Sequence, residues 1–341
     1  MSDYIRPHQR QRLEIALDVL KGCTYSCEGC MVDRDLYATT DVVDGVNTMV
    51  DGFIAFGHYP FDITIGATDF GSAVNVDQIA NDPKIGELVR KFQTLTVTCP
   101  MLEKSPEYYE RLANNLLRLS HGETFIRIVM PIGLNYMGNI TLMSALKTRL
   151  DYLQTMLSGK LHEITFVLNV TNELIRKNDF KSFVGIYEWP DMDIVTDMVL
   201  NIPHGRQHDI STNPKYANEI TDVSRFMSEL YEWMDSDDVK QQDPDFDGFT
   251  GTHINLGIIS DKIYVVPYLK DEFNLFSPGL VVDELTYESV MSKVSEIRDD
   301  DQSVPLSVCR TCPEAPYCIE KGIFTIIKEL DMVTCPVNHN V

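Results

Sequence analysis

The sequence predicts an α/β fold, in which a partial (β/α)6 barrel precedes a small C-terminal α+β domain. Across the first two-thirds of the 341 residues, strand-length runs rich in Val, Ile, Phe and Thr alternate with helix-length segments. Strands separated by helices favour right-handed βαβ units and a parallel sheet. After an Asp-rich stretch, a hairpin pattern and a cysteine-rich tail indicate a second, smaller unit.

Six strands are predicted for the barrel. They are Leu13–Leu20, Phe61–Ile65, Leu95–Thr98, Thr124–Met130, Ile164–Val170 and Ile194–Asn201. Helical patterns include Pro106–Leu119 and Ile140–Leu157, and Thr221–Met234 repeats apolar residues at three- and four-residue spacing. Because ligands of such folds bind at the carboxyl ends of the strands, we expect functional residues to follow the strands.

The acidic stretch Asp235–Asp247 predicts a linker between two domains. We therefore divide the chain into a barrel domain, an acidic linker and a C-terminal domain, at residues 1–234, 235–251 and 252–341. Within the last of these, His253–Leu256 and Lys262–Tyr268 predict a β-hairpin, and Glu288–Ile297 predicts a helix.

Composition and charge narrow the class of protein. The content of hydrophobic residues is 44%, which is ordinary for a globular protein, and the net charge is −22. An acidic surface disfavours binding to duplex nucleic acid and to anionic membranes, because phosphate groups are bound by clustered Lys and Arg. No apolar stretch is long enough to span a membrane, and Met1–Arg12 lacks the apolar core of a signal peptide, so we expect a cytoplasmic protein.

Three cysteines follow the first predicted strand at the spacing C-x3-C-x2-C, namely Cys23, Cys27 and Cys30. Three thiolates on one loop can bind three irons of a 4Fe–4S cluster, and the fourth iron is then open to another ligand. A cluster that only transfers electrons is usually closed by four cysteines. Zinc is the alternative metal, but it requires a fourth Cys or His, and none follows closely.

A second set of four cysteines lies near the C-terminus, at Cys309, Cys312, Cys318 and Cys335. Four thiolates can close a 4Fe–4S cluster completely. A structural zinc site uses the same four ligands and remains the alternative.

The first cysteine motif, followed by alternating βα units, resembles the radical S-adenosylmethionine (SAM) superfamily. The resemblance implies that the open iron binds the amino and carboxylate groups of SAM. Reductive cleavage then yields a 5′-deoxyadenosyl radical, which removes a hydrogen atom from the substrate. The resemblance also implies a reductant such as flavodoxin or ferredoxin.

The second cysteine set resembles the twitch and SPASM domains that are appended to many radical SAM enzymes. A full SPASM domain carries two auxiliary clusters, but the predicted hairpin here contains no cysteine. We therefore expect one auxiliary cluster, and two 4Fe–4S clusters in the whole chain.

The resemblance also implies a set of residues that bind SAM. They lie in the cluster loop, after the second strand and in the fourth and fifth strands: Tyr25, Gly29, Gly66, Ala67, Thr68, Asp69, Arg127 and Asn169. Asp69 would accept from the SAM ammonium and Arg127 would bind the carboxylate. Gly29 departs from the family, which usually has an aromatic residue there. The alternatives are an ordinary turn for Gly66–Asp69 and a surface or supporting structural role for Arg127 and Asn169.

Cys99 follows the third predicted strand and is the candidate catalytic residue, as a hydrogen-atom donor to a product radical. The alternative is a small buried apolar side chain. For the substrate we expect a peptide or a small molecule, and the alternative is a nucleoside or nucleobase in a hypermodification pathway. A different class, a non-catalytic iron–sulfur protein that transfers electrons, also remains open.

Overall fold

The computed structural model describes ten stretches of the chain, at residues 12–23, 37–66, 68–100, 105–132, 140–169, 195–201, 253–259, 262–266, 280–282 and 284–299. The strands in these stretches are β1 (Arg12–Asp18), β2 (Tyr59–Gly66), β3 (Thr94–Thr98), β4 (Phe125–Ile132), β5 (Leu161–Asn169), β6 (Val195–Asn201), β7 (His253–Ile259), β8 (Lys262–Val266) and β9 (Leu280–Val282). The helices are α1 (Val43–Ala55), α2 (Val76–Asn81), α3 (Pro83–Arg90), α4 (Pro106–Leu119), α5 (Ile140–Met156) and α6 (Tyr287–Asp299).

The described strands form one sheet in the order β6-β5-β4-β3-β2-β1-β7-β8-β9. Strands β1 to β6 pair in parallel with their neighbours, and helices follow β1, β2, β3 and β4 in the chain. This arrangement confirms the α/β fold with six parallel strands. The predicted helix Thr221–Met234 and the linker at 235–251 lie outside the described residues.

The predicted hairpin is present as the antiparallel pair β7 and β8. It also extends the barrel sheet, because β7 runs parallel to β1, from Arg12 opposite His253 to Leu17 opposite Ile258. Helix α6 packs against α1, where the ring of Tyr287 stacks on Phe56 with centroids 4.1 Å apart. The boundaries of the domains stay a prediction.

The two faces of the sheet differ in polarity. In β1, Leu13, Ile15 and Leu17 are almost fully buried and share one apolar core with α1. Glu14 and Asp18 alternate with them and therefore lie on the opposite face. We call this opposite face the polar face; in the neighbouring strands it carries Asp62, Thr64, Gly66, Thr96, Arg127 and Glu163.

Helix α4 begins at a side-chain cap, and its first turn carries a residue of the candidate site. The Ser105 side chain accepts a hydrogen bond from the backbone N–H of Tyr108 at 3.2 Å, and Pro106 occupies the first helical turn. This cap fixes the first turn of α4, which carries Tyr108. Among the described residues, no helix is both long and apolar enough to cross a membrane.

Candidate functional site

The loop that leads to Cys23 is tied to the loop between β2 and α2. The backbone N–H of Val74 donates to the carbonyl of Lys21 at 2.9 Å. The Asn75 side chain accepts from the N–H of Lys21 at 2.8 Å and donates to the carbonyl of Val19 at 2.9 Å. These bonds hold Cys23 beside the segment that follows β2, at the carboxyl ends of the parallel strands.

Cys23 is the one predicted metal ligand that lies within the described residues. Its Sγ is 3.8 Å from Oγ of Ser72, a contact in which either group could donate. The other six predicted ligands, and the predicted SAM contacts Tyr25, Gly29 and Ala67, lie outside the described residues. In the part of the chain that is described, no three His, Cys, Asp or Glu residues are grouped so as to hold a metal ion.

Asp69 is a buried carboxyl group with an unused acceptor. Its Oδ1 accepts from the backbone N–H of Gly71 at 3.3 Å, whereas its Oδ2 is buried without a hydrogen-bond partner among the described residues. Burial raises the pKa of Asp69, and hydrogen bonds from Ser72, Gly71 and Cys99 offset part of that effect. A buried carboxylate oxygen without a donor is costly, so this atom is suited to accept from a cationic ligand.

Two residues near Asp69 in the chain, Thr68 and Gly66, are the next predicted SAM contacts. Thr68 is 5% exposed, and its Oγ1 also lacks a hydrogen-bond partner among the described residues. Gly66 ends β2, where an ideal Cβ would lie 3.1 Å from Oδ1 of Asp18. The Asp18 carboxylate therefore lies close against the backbone of Gly66, in space that a side chain at this position would need.

Sequence reasoning missed Asp18, which ends β1 in register with Gly66. Asp18 is 6% exposed, and burial raises its pKa to about 7. The available signal was a carboxylate at the end of an otherwise apolar strand pattern, at the edge where ligands of βα folds bind. The candidate site therefore contains two buried carboxyl groups near Gly66. Asp18 is the partner of Gly66 in the strand register, and Asp69 follows Gly66 in the chain.

Cys99 directly follows β3, at the carboxyl edge of the sheet. Cys99 is fully buried, its thiol lowers the pKa of Asp69, and its Sγ lies 3.5 Å from Oη of Tyr108. The backbone of the β2–α2 loop is joined to β3 here, because the N–H of Phe70 donates to the carbonyl of Thr98 at 2.9 Å.

Arg127 lies on the polar face but in the amino-terminal half of β4. Its Nη2 is 2.8 Å from Oε2 of Glu163, and its Nη1 is 3.7 Å from Oδ2 of Asp62. Burial lowers the pKa of Arg127, but the charges of Asp62 and Glu163 more than compensate, so that it is raised overall. The guanidinium is thus already neutralised by protein carboxylates, which favours the structural alternative. Asn169, by contrast, ends β5 in register with Asn201, at the carboxyl edge.

The residues present fit the ligand that the sequence implies. SAM carries an ammonium group, for which Oδ2 of Asp69 is a buried acceptor. The three thiolates of Cys23, Cys27 and Cys30 are the donor set of a cluster with one open iron.

No protein-family model matches the chain, and no curated protein matches it. Among solved structures, native anSMEcpe with bound AdoMet and Cp18Cys peptide is similar over 90% of this chain and 88% of its own, with 10% identity and a TM-score of 0.54. Streptococcus suis SuiB bound to S-adenosylmethionine aligns over 89% of this chain and 69% of its own, with 12% identity and a TM-score of 0.45. At an identity of 10%, the likeness to anSMEcpe is one of fold. The chain therefore shares its fold with anSMEcpe, and its six parallel strands with intervening helices confirm the predicted α/β class.

Proposed function

We propose that the protein is a radical SAM enzyme. Cys23, Cys27 and Cys30 hold a 4Fe–4S cluster, and its open iron binds SAM at the carboxyl ends of the barrel strands. The observation that carries the proposal is that Cys23 contacts Ser72 in the turn that begins at Asp69, in a fold shared with an AdoMet-bound structure. When bound, the cluster supplies the electron that cleaves SAM, and the resulting 5′-deoxyadenosyl radical removes a hydrogen atom from the substrate.

The chain's own residues bind and orient SAM in this proposal. Oδ2 of Asp69 accepts from the ammonium group, and Thr68 offers a second buried hydrogen-bonding atom. Gly66, at the end of β2, is proposed as a backbone contact to SAM. Further contacts are proposed from Tyr25, Gly29, Ala67 and Asn169. For Arg127 we propose an architectural role in place of the carboxylate contact.

Cys99 is proposed as the hydrogen-atom donor to a product radical. Its thiol lies beside Asp69 and Tyr108, which places it next to the proposed SAM site. In this role Cys99→Ala leaves 5′-deoxyadenosine formation intact and blocks only the formation of reduced product. If Cys99→Ala and Cys99→Ser both turn over the true substrate normally, Cys99 is only a buried apolar residue.

The substrate class is proposed as a peptide or a small molecule. The peptide is favoured because anSMEcpe, which shares the fold over most of the chain, carries a bound Cp18Cys peptide. A nucleoside or nucleobase is the second candidate. A reductant such as flavodoxin or ferredoxin is required in either case, and residence in the cytoplasm fits the clustered cysteines.

The C-terminal cysteines are proposed to hold an auxiliary 4Fe–4S cluster that is closed by four thiolates. Because no iron is then left open, this cluster serves electron transfer or architecture. Electron paramagnetic resonance on the reduced Cys23/Cys27/Cys30→Ala variant tests the proposal, and its remaining signal should not respond to SAM. A SAM-induced shift of that signal would show an open iron at Cys309, Cys312, Cys318 and Cys335.

Anaerobic incubation with SAM and dithionite separates the enzyme from a protein that only transfers electrons. We expect 5′-deoxyadenosine and methionine from the enzyme. A chain that assembles both clusters and is reduced by dithionite, yet leaves SAM intact, would be an electron-transfer protein.

A further inference from the structure

Gly71 lies in the turn that orients the carboxyl group of Asp69. Its backbone N–H donates to Oδ1 of Asp69 at 3.3 Å, and the N–H of Ala73 donates to the backbone carbonyl of Asp69 at 3.0 Å. An Asp side chain that accepts from the N–H two residues later forms an Asx turn. Because this bond occupies Oδ1, the buried Oδ2 of Asp69 is left to accept from a ligand.

The turn requires glycine at position 71 because of space. The φ angle of Gly71 lies outside the left-handed region that favours glycine, so its backbone conformation is open to other residues. An ideal Cβ at this position, however, would lie 1.9 Å from Oη and 2.4 Å from Cζ of Tyr108. The phenol ring therefore occupies the volume that any other side chain at position 71 would use.

Tyr108 is held in this place by its own neighbours. It belongs to the first turn of α4, where its backbone N–H donates to Oγ of Ser105 at 3.2 Å. Its Oη is 3.5 Å from Sγ of Cys99, and its ring meets that of Tyr109 edge-on with centroids 5.2 Å apart. Rotation of the phenol away from Gly71 would break its contacts with Cys99 and Tyr109.

We propose that Tyr108 is a positioning residue that holds the turn at Gly71 and thereby directs the carboxylate of Asp69 toward SAM. The ring closes the turn from one side, so the N–H of Gly71 stays aimed at Oδ1 of Asp69. Tyr108 acts on SAM through Asp69 and needs no contact of its own with the ligand. This inference rests on the proposed function, because it takes SAM as the ligand of Asp69.

Single substitutions of the two partners should each weaken SAM binding. Tyr108→Ala removes the ring and loosens the turn, so the dissociation constant of SAM should rise by about threefold to tenfold, the effect of one hydrogen bond. Tyr108→Phe keeps the ring against the turn and should retain most of the affinity. Gly71→Ala places a methyl group in the volume of the ring and should weaken binding at least as much as Tyr108→Ala.

Double variants test the contact between Gly71 and Tyr108 directly. In the Gly71→Ala background, Tyr108→Ala makes room for the new methyl group. The substitution that weakens SAM binding in the wild type should therefore strengthen it here. Tyr108→Phe should give no such rescue, because Cζ remains within 2.4 Å of the position of the methyl carbon. Additive losses from Gly71→Ala and Tyr108→Ala would overturn the proposal.

Coupling to Asp69 separates positioning from a general loss of structure. In the Asp69→Asn background, Tyr108→Ala should change the affinity for SAM little, because the carboxylate that the ring directs is gone. Deaminated SAM, in which a keto group replaces the ammonium, should bind equally well to the wild type and to Tyr108→Ala. If Tyr108→Ala weakens the binding of SAM and of its deaminated analogue by the same factor, Tyr108 does not act through Asp69 and the proposal fails.

The experiment is equilibrium binding of SAM to the full, anaerobically reconstituted chain, with the iron content and Tm of each variant measured beside it. The matched control is Tyr152→Ala, which removes an exposed tyrosine whose Oη donates to Oε1 of Glu110 on α4 at 3.3 Å, and we expect wild-type affinity from it. If Gly71→Ala does not fold, the pair Tyr108→Ala and Asp69→Asn still decides. Wild-type affinity in Tyr108→Ala overturns this inference alone. A wild-type chain that binds no SAM would overturn the proposed function as well.

Discussion

Arg127 and Glu163 form an ion pair across β4 and β5, with Nη2 of the guanidinium 2.8 Å from Oε2 of the carboxylate. The two residues are partners in the register of the strands, and both are largely buried, with side chains 17% and 16% exposed. Asp62 on β2 adds a second carboxylate and also accepts from Oγ1 of Thr96 at 2.6 Å. The polar face therefore contains an ionic network that joins the strands.

Loss of the guanidinium should destabilise the barrel without affecting SAM binding. Arg127→Met leaves two buried carboxylates without their cation, and breaking such a pair costs about 3 kcal/mol or more. We expect a clearly lower Tm and a SAM dissociation constant equal to that of the wild type. The matched control is Arg111→Met, which breaks the exposed pair with Asp77 and should cost less than about 1 kcal/mol. Weaker SAM binding with an unchanged Tm would restore Arg127 as a ligand contact.

The carboxylate of Asp69 should account for a large part of SAM affinity. Asp69→Asn removes a charge-assisted hydrogen bond to the ammonium group, a loss of roughly 1.5–3 kcal/mol. The dissociation constant should rise by about one to two orders of magnitude in equilibrium binding to the reconstituted protein. Asp77→Asn, an exposed carboxylate on α2, is the control and should bind SAM normally. If both variants bind SAM as the wild type does, the segment Gly66–Asp69 is an ordinary turn.

Asp18 should make the stability of the protein depend on pH. Burial raises its pKa from 3.8 to about 7, so between these values the folded protein binds a proton that the unfolded chain lacks. Stability therefore falls as the pH rises from about 4 to 7, and the full penalty of up to about 4 kcal/mol is present above that range. Asp18→Asn removes the penalty, so the variant should melt higher than the wild type near pH 8 and nearly equal to it near pH 4.

A carboxylate whose pKa is shifted in the opposite direction provides the control for this measurement. Hydrogen bonds from Arg111 and Asn115 lower the pKa of Asp77, so its charged form favours the folded state. Asp77→Asn should therefore lower the Tm slightly at neutral pH, the opposite sign from Asp18→Asn. If the Tm difference between Asp18→Asn and the wild type does not change with pH, the pKa of Asp18 is the same in the folded and unfolded states.

Sequence patterns located most of the barrel because the strands alternate so regularly. The apolar side chains of β1 at Leu13, Ile15 and Leu17 identify the face that packs on the helices. The ends of the strands were less predictable. Strand β4 was expected to stop at Met130, but Pro131 pairs in register with Val167 and the strand continues to Ile132.

The candidate site was predictable where metal binding restricts the type of residue. It was less predictable where the role of a residue depends on its burial in the folded chain. Cys23, Asp69 and Cys99 follow the first three strands, and the structure brings their segments together at one edge of the sheet. Asp18 was missed because its importance comes from burial, which a single sequence does not reveal. The ion pairs of Arg127 were missed because Glu163 and Asp62 are distant in sequence and meet only through the strand register.

The most direct test of the account is SAM cleavage by the Cys23/Cys27/Cys30→Ala variant beside the wild type. Both proteins are reconstituted anaerobically, their iron is counted, and 5′-deoxyadenosine is measured after addition of SAM and dithionite. We expect about eight irons and cleavage from the wild type, against about four irons and no cleavage from the variant, because two cubanes become one. Cleavage at the wild-type rate by the triple variant would contradict the assignment of the first cysteine motif and, with it, the proposed function.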